Sequence, residues 1–225
     1  MKEIPILYED NHLLIVVKPP NLLSQGDRTG DEDLLSLLKE YIREKYNKPG
    51  NVYLGLVHRL DRPTGGVMVF AKTSKAAGRL SEQIRTNTFR RGYLAVVAGH
   101  PRPLQGSKRH FLAKDRKTNL VSVVKPTAPG AQEAILTYQV VDMSAGLSLV
   151  RIELQTGRPH QIRVQMAASG HPLVGDQRYG PRSNVRQQIA LWAETISLLH
   201  PTTKERLDFS QPPPGEKPWT DFRHA

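Results

Sequence analysis

His58-Arg59-Leu60-Asp61-Arg62-Pro63-Thr64-Gly65-Gly66 runs directly into Val67-Met68-Val69-Phe70-Ala71-Lys72, and this stretch decides how the rest of the chain is read. It sets one carboxylate, Asp61, between two arginines, ahead of a proline and two glycines, with an apolar run of strand character behind them. Pro63 restricts Arg62 to extended or turn geometry, and Gly65 and Gly66 allow backbone angles closed to other residues. The pattern places Asp61 in a tight loop entering a strand, where a catalytic side chain is held on a rigid scaffold. The plainer alternative is a surface loop with an Asp–Arg ion pair, a frequent feature worth little energy.

Upstream, Ile6 to Glu9 and Leu13 to Val17 flank a turn at Asp10-Asn11 and stop at Lys18-Pro19-Pro20, which reads as a hairpin. Residues 21–33 are polar loop. Asp33 is placed to cap a helix whose apolar positions Leu34, Leu37, Leu38, Tyr41 and Ile42 follow helical spacing, with Pro49-Gly50 ending the segment. After the 67–71 strand, Thr73 or Ser74 caps a helix with Ala77, Leu80 and Ile84 on one face. Tyr93 to Gly99 reads as a buried strand. Residues 101–133, with Lys108, Arg109, Lys114, Arg116 and Lys117, form a basic hairpin-like excursion. Strands at 134–141 and 147–154 follow, then late strands at 189–193, 195–200 and 206–209. A proline-rich strap over about 211–225 closes the chain. The expectation is one α+β domain over 1–225, a largely antiparallel mixed sheet flanked by helices and loops.

Lys plus Arg is 32 against 21 for Asp plus Glu, a formal net charge of +11. Such an excess argues for a polyanionic partner. No single amphipathic helix concentrates the charge as a membrane binder would, so nucleic acid is the favoured class. The apolar runs are too short to span a bilayer. Met1-Lys2-Glu3-Ile4-Pro5 lacks the features of a signal peptide. No cysteine occurs among the 225 residues, which excludes disulfides and thiolate metal sites and suits a cytoplasmic protein. The eight histidines do not cluster at ligand spacing, so no metal or other cofactor is expected. The acidic patch of Asp27, Asp31, Glu32 and Asp33 reads as loop plus helix cap.

The second informative stretch is Thr156-Gly157-Arg158-Pro159-His160-Gln161-Ile162-Arg163. It predicts a helix that has Pro159 in its first turn, places His160 and Arg163 on one face, and runs to a C′ glycine at Gly170. Arg163 can fork onto a carboxylate from another segment, with Asp61 the natural candidate, which keeps that carboxylate ionised even when buried. Gripping a phosphate or a helix end is the alternative.

Together, His58-Arg59-Leu60-Asp61 with Thr64-Gly65-Gly66, and Thr156 through Arg163, resemble the RluA-type family of RNA pseudouridine synthases. Val16-Val17-Lys18-Pro19, Tyr93 through Gly99, Gly170-His171-Pro172-Leu173-Val174-Gly175-Asp176 with Tyr179, and His200-Pro201 with Leu207-Asp208-Phe209 extend the resemblance along the chain. It implies an isomerase that breaks the bond between uracil and ribose, turns the base and rejoins it through carbon. By that resemblance Asp61 is the catalytic aspartate, acting as nucleophile or by promoting a glycal. Arg163 is the arginine that pairs with it. Tyr93 is the active-site tyrosine, stacking on the base and assisting proton transfer at carbon 5. The target uridine is flipped out, with Arg62 as the wedge or phosphate grip beside it, and Arg59 and His160 as further substrate contacts.

Two departures stand out. Gly65 replaces the usual Ser, and Trp192-Ala193 replaces the common His-Ala. The catalytic pattern also begins within the first twenty residues, so no N-terminal S4-type domain is expected, and RNA affinity falls to the chain's own basic surface, with 108–117 as a favoured strip. Large-subunit ribosomal RNA and transfer RNA stem-loops are both open as substrates, and a monomer is the default. The competing reading is an RNA-binding or RNA-folding factor without catalysis. A glycosidase-like hydrolase would need a second carboxylate opposite Asp61; Asp176 is available, and is read instead as ordering the Gly175-Asp176 turn.

Overall fold

Burial and hydrogen-bonding capacity, more than propensity, decide how these segments assemble. A computed structural model describes residues 4–181 and 187–223. In chain order it forms β1 (Ile6–Glu9), β2 (Leu13–Lys18), α1 (Leu34–Lys45), β3 (Gly55–Leu56), β4 (Gly65–Ala71), α2 (Ser74–Arg85) and β5 (Arg90–Ala98). Then come β6 (Gln105–Lys114), β7 (Val121–Val124), β8 (Gln132–Ser144), β9 (Leu147–Leu154), α3 (Gln161–Ala168), β10 (Leu191–Leu199) and β11 (Arg206–Ser210). The architecture is α+β, and the pairs β1–β2, β2–β4, β3–β4, β5–β9, β6–β7, β6–β8, β8–β9 and β10–β11 are antiparallel. The residues fall into two compact units, Met1–Arg90 with Ala193–Gln211, and Arg91–Trp192 with Pro212–Ala225.

In the first unit the β1–β2 turn is fixed by Asp10, whose Oδ1 accepts from His12 N at 2.7 Å and Leu13 N at 2.6 Å. This is a side chain imitating a backbone turn. β2 then pairs with β4, Val17 opposite Val67 and Ile15 opposite Val69. Every residue of both strands is buried, so they are covered on both faces and read as unbroken apolar runs instead of alternating ones. Asp33 caps α1 by accepting from Ser36 N at 3.0 Å, and Leu34, Leu38 and Ile42 form the buried stripe. That helix ends at Lys45, before Pro49-Gly50 is reached. Thr73 caps α2, accepting from Ala76 N at 3.1 Å. Gln83, buried on α2, gives Nε2 to Leu199 O at 2.7 Å and takes Leu199 N on Oε1 at 2.8 Å, which ties helix to strand. Leu13, Ile15, Val67, Val69, Leu80, Phe89, Ile196 and Leu198 share one core. The chain's return as β10 and β11 thus completes an N-terminal core, with β10 beside β4 and Ile196 opposite Phe209 on β11.

In the second unit the strand order is β5-β9-β8-β6-β7. Tyr93 sits opposite Ile152, and β6 follows β8 from Gln105 opposite Gln139 to Leu112 opposite Gln132. The excursion expected at 101–133 is therefore the β6–β7 hairpin and the turn leading into β8. Leu112, Val121, Ala134 and Val164 make a core under it, joining α3 to these strands. The strap after Gln211 is anchored by Trp219 and Phe222, both buried. Arg178 to Arg186 is a further base-rich stretch of the sequence, and its residues 182–186 lie outside the described residues.

Two expectations are corrected. The strands anticipated at 189–193 and 195–200 are one strand, because the polar Glu194-Thr195 pair is tolerated at half-buried positions inside β10. The third helix starts at Gln161 and not at Pro159. His160 is its N-cap in a left-handed conformation, φ 52°, which breaks the helix register just after the proline.

Candidate active site

The Asp61 loop is held by its backbone. Asp61 O accepts from Thr64 N at 3.0 Å, closing the turn predicted from Pro63. Before it, Ser24 Oγ donates to Leu60 O at 2.7 Å and accepts from Leu60 N at 3.2 Å. After it, Arg62 O accepts from Lys18 Nζ at 3.1 Å, and Lys18 also donates to Leu22 O at 2.7 Å and Pro19 O at 3.0 Å. Lys18 is fully buried, so its three donors are spent on three carbonyls of the loops around it. Burial pushes this ammonium down to about 7, the charge of Asp61 opposes that fall, and Arg62 adds to it. Asp61 itself is half-buried, leaving a carboxylate with access to a ligand on a backbone fixed at both sides.

Its neighbours differ in role. Arg59 is exposed. Arg62 is also exposed and lies over the 21–31 loop, giving Nη1 to Asp31 Oδ2 at 2.6 Å and Nε to Asn21 O at 3.3 Å. His58 is buried and structural: Nε2 accepts from Val69 N at 3.1 Å, and its ring packs on Phe89 at 5.5 Å. Gly66 has φ 123°, and a methyl carbon there would lie 2.2 Å from Ala193 O. The motif's second glycine is thus required by the close passage of β10, and the Trp192-Ala193 departure falls where backbone, not side chain, makes that contact.

In the second unit, Tyr93 is buried on β5. The Thr156–Gln161 loop is wired to β8 through one buried side chain, Gln161. Its Oε1 accepts from Thr156 Oγ1 at 2.8 Å and Arg158 N at 3.0 Å, and its Nε2 donates to Ile135 O at 3.1 Å. Thr156 Oγ1 in turn accepts from Ile135 N at 2.8 Å. This network holds the loop off the helix and explains the later start of α3. His160 Nδ1 lies 2.6 Å from Tyr179 Oη, the two rings meeting edge to face. Arg163, one turn on, forks onto Asp176, Nε to Oδ2 and Nη2 to Oδ1, both at 2.8 Å, with Tyr179 stacked 5.1 Å from the guanidinium carbon. Asp176 also accepts from Arg178 N and Tyr179 N, so it orders its turn as the sequence reading has it. Burial raises the Asp176 carboxyl, but Arg163 and these two backbone donors outweigh it and hold it below the usual carboxylate range. His160 and Arg163 are therefore oriented through one aromatic, Tyr179. Among the described residues, no group of His, Asp and Glu is arranged to hold a metal ion.

The family model for RNA pseudouridylate synthase matches residues 12–168, more than half of the 225. The chain belongs to this family. An uncharacterised RNA pseudouridine synthase of Bacillus subtilis is 36% identical over 216 residues, covering 95% of this chain and 70% of the relative. A ribosomal large subunit pseudouridine synthase D of Zymomonas mobilis is 32% identical, covering 94% of this chain and 69% of its own length. One solved structure, human RNA pseudouridylate synthase domain containing 4, superposes with a TM-score of 0.78 at 23% identity, over 93% of this chain and 88% of that one. Family and fold together make the chain an isomerase of RNA uridines. Among the described residues no helix is long and apolar enough to cross a membrane.

Sequence reading missed two functional-site features. Lys18 looked like a strand terminus before two prolines; the signal was a lysine continuing an all-apolar run. Asp176 was assigned a turn alone, and its fork with Arg163 joins segments thirteen residues apart that no local pattern connects.

Proposed function

We propose that this chain converts a specific uridine to pseudouridine within structured RNA, with Asp61 as the catalytic nucleophile. The observation that carries this is the Asp61 loop: a half-buried carboxylate whose backbone is pinned on three carbonyls by Ser24, Thr64 and Lys18. A side chain that must meet a sugar carbon in one geometry gains most from such fixing. The bond between uracil N1 and ribose C1′ breaks, a bond from C5 to C1′ forms, the C5 proton leaves and N1 gains one. Atoms balance without a cofactor. Tyr93 takes the base-facing role and Arg163 the role of charge partner to the catalytic carboxylate, both as the family resemblance implies. Arg59, Arg62 and His160 contact the RNA, and Arg62 must leave Asp31 to do so. That pair is exposed and costs little to break.

Large-subunit ribosomal RNA is the favoured substrate, since relatives from Zymomonas mobilis and Pseudomonas aeruginosa bear the name ribosomal large subunit pseudouridine synthase D. A transfer RNA stem-loop is the other. Both place the work in the cytoplasm, and we read the chain over 1–225 as one catalytic domain. The test is pseudouridine mapping of total RNA from cells lacking the protein, complemented with wild type or with Asp61→Asn. A site lost in the deletion and regained with wild type alone supports the proposal and names the substrate. Full rescue by Asp61→Asn would leave an RNA-binding factor in place of the enzyme.

A further inference from the structure

Three cations are buried among the described residues: Lys18, Arg91 and Arg163. Lys18 donates to three carbonyls, and Arg163 forks onto Asp176. Arg91 is different. It is the second residue of β5, two before Tyr93, and 8% exposed. Its Nε is wholly buried without a partner, and among the described residues its guanidinium meets no hydrogen-bond acceptor and no carboxylate. A buried cation left without an opposite charge is a costly arrangement that folded chains avoid, so the missing partner is to be sought outside the chain.

The space beside it points the same way. Arg91 lies against Gly157, where a methyl carbon would come within 2.8 Å of Nη1 and 3.6 Å of both Cζ and Nη2. Gly157 is exposed, so the fork sits directly beneath the surface. No left-handed backbone angle demands a glycine there; the demand is for room. Next along, Arg158 uses its Nε on Glu133 O at 2.8 Å, and its two amino groups are left over among the described residues. A planar fork with a second guanidinium nearby is matched by an oxyanion bearing two accessible oxygens, the geometry of a phosphate.

We infer that Arg91, with the room left by Gly157, is a phosphate subsite that takes one backbone phosphodiester of the substrate RNA. This rests on the RNA-isomerase reading above. The subsite adds a fixed point on the strand that carries Tyr93, and it makes the apo chain incomplete in charge until RNA arrives.

The test uses the full chain and a stem-loop RNA containing the uridine found by mapping. Arg91→Met removes the charge and keeps an apolar stem, Arg91→Lys keeps a point charge, and Gly157→Ala fills the space. Arg91→Met should bind the RNA about tenfold or more weakly, the scale of a lost charged hydrogen bond. Its plot of log affinity against log salt should be shallower by about one unit, one phosphate fewer. Neutral methylphosphonates placed singly along the RNA should reveal one position that weakens wild-type binding and leaves Arg91→Met unaffected. The melting temperature of Arg91→Met should hold or rise, since an unmatched buried charge has gone. Gly157→Ala should repeat the binding loss, and Arg91→Lys should fall between.

Unchanged affinity and salt slope in Arg91→Met would overturn the proposal, as would a lowered melting temperature with full RNA affinity, the mark of a structural arginine. Inorganic phosphate that raises the wild-type melting temperature but not that of Arg91→Met, while RNA affinity stays equal, would assign the subsite to a free anion and overturn the RNA source. Conversion by wild type is read in the same samples. Its absence overturns the isomerase reading and the RNA source together, while the phosphate arm still decides whether Arg91 takes an anion.

Discussion

Arg163 and Asp176 meet as a buried two-pronged pair, with side-chain exposures of 7% and 1%. Removing one member of such a pair strands the other, so Asp176→Asn should destabilise the protein by about 3–5 kcal/mol in urea titrations. The folded Asp176 carboxyl lies below its ordinary range, so its contribution is present above the unfolded carboxylate pKa and is lost as pH falls below it. Wild type should therefore lose stability on acidification more steeply than Asp176→Asn, measured as midpoints between pH 5 and about 2.

Lys18 fixes the Arg62 carbonyl without touching substrate, a positioning role. Lys18→Met should lower kcat by roughly 10–100-fold, the scale of a small misplacement of a reacting group, and leave RNA affinity within about threefold. Its stability signature has a definite sign. Burial holds the folded ammonium at about 7 against 10.5 in the unfolded chain. Between those values the unfolded state binds more protons, so stability rises with pH. That rise should appear in wild type and be missing in Lys18→Met.

Glu9 gathers Lys45 Nζ, Lys72 Nζ and Tyr46 Oη, each at 2.7 Å, and Tyr41 Oη at 2.9 Å. Burial acts to raise this carboxyl, but the four donors bring it down to about 2. The contribution is whole above pH 4.5 and disappears as pH falls towards 2. Glu9→Gln should flatten that part of the acid unfolding curve and leave neutral-pH RNA conversion unchanged.

Gly66→Ala tests the close passage of β10. With φ at 123° and Ala193 O 2.2 Å from the new methyl carbon, neither strand can yield without breaking its pairing. A loss of about 3 kcal/mol is expected from overpacking alone, added to the strain of a positive φ. Gly65→Ala, one residue earlier, carries no positive φ and should cost less; the difference in thermal midpoint between the two variants is the readout.

Much of this was legible in the sequence because the deciding forces are local. The β1–β2 hairpin, the Asp33 and Thr73 caps and the Asp61 turn each depend on residues within three or four positions of one another. The misread parts depend on distant partners. Pro159 looked like a helix start because nothing nearby reveals that Gln161 holds Thr156 and Arg158 against Ile135. The fork of Arg163 with Asp176 was hidden for the same reason, since it depends on how a helix meets a later turn. The burial of Arg91 has no sequence signature, since it too is set by segments distant in the chain.

The order in which the chain is made now matters. Residues Leu13 to Phe89 leave the ribosome first, yet Ile196 and Leu198 of the same core follow only after the whole of Arg91–Trp192 has been synthesised. At bacterial and eukaryotic elongation speeds that interval is roughly 5–20 s. Throughout it the β4 edge that β10 will cover stays open on a nascent, strongly apolar sheet. A transcript truncated after Trp192 would therefore yield a polypeptide with every residue of the Asp61 loop and no way to close the core beneath it.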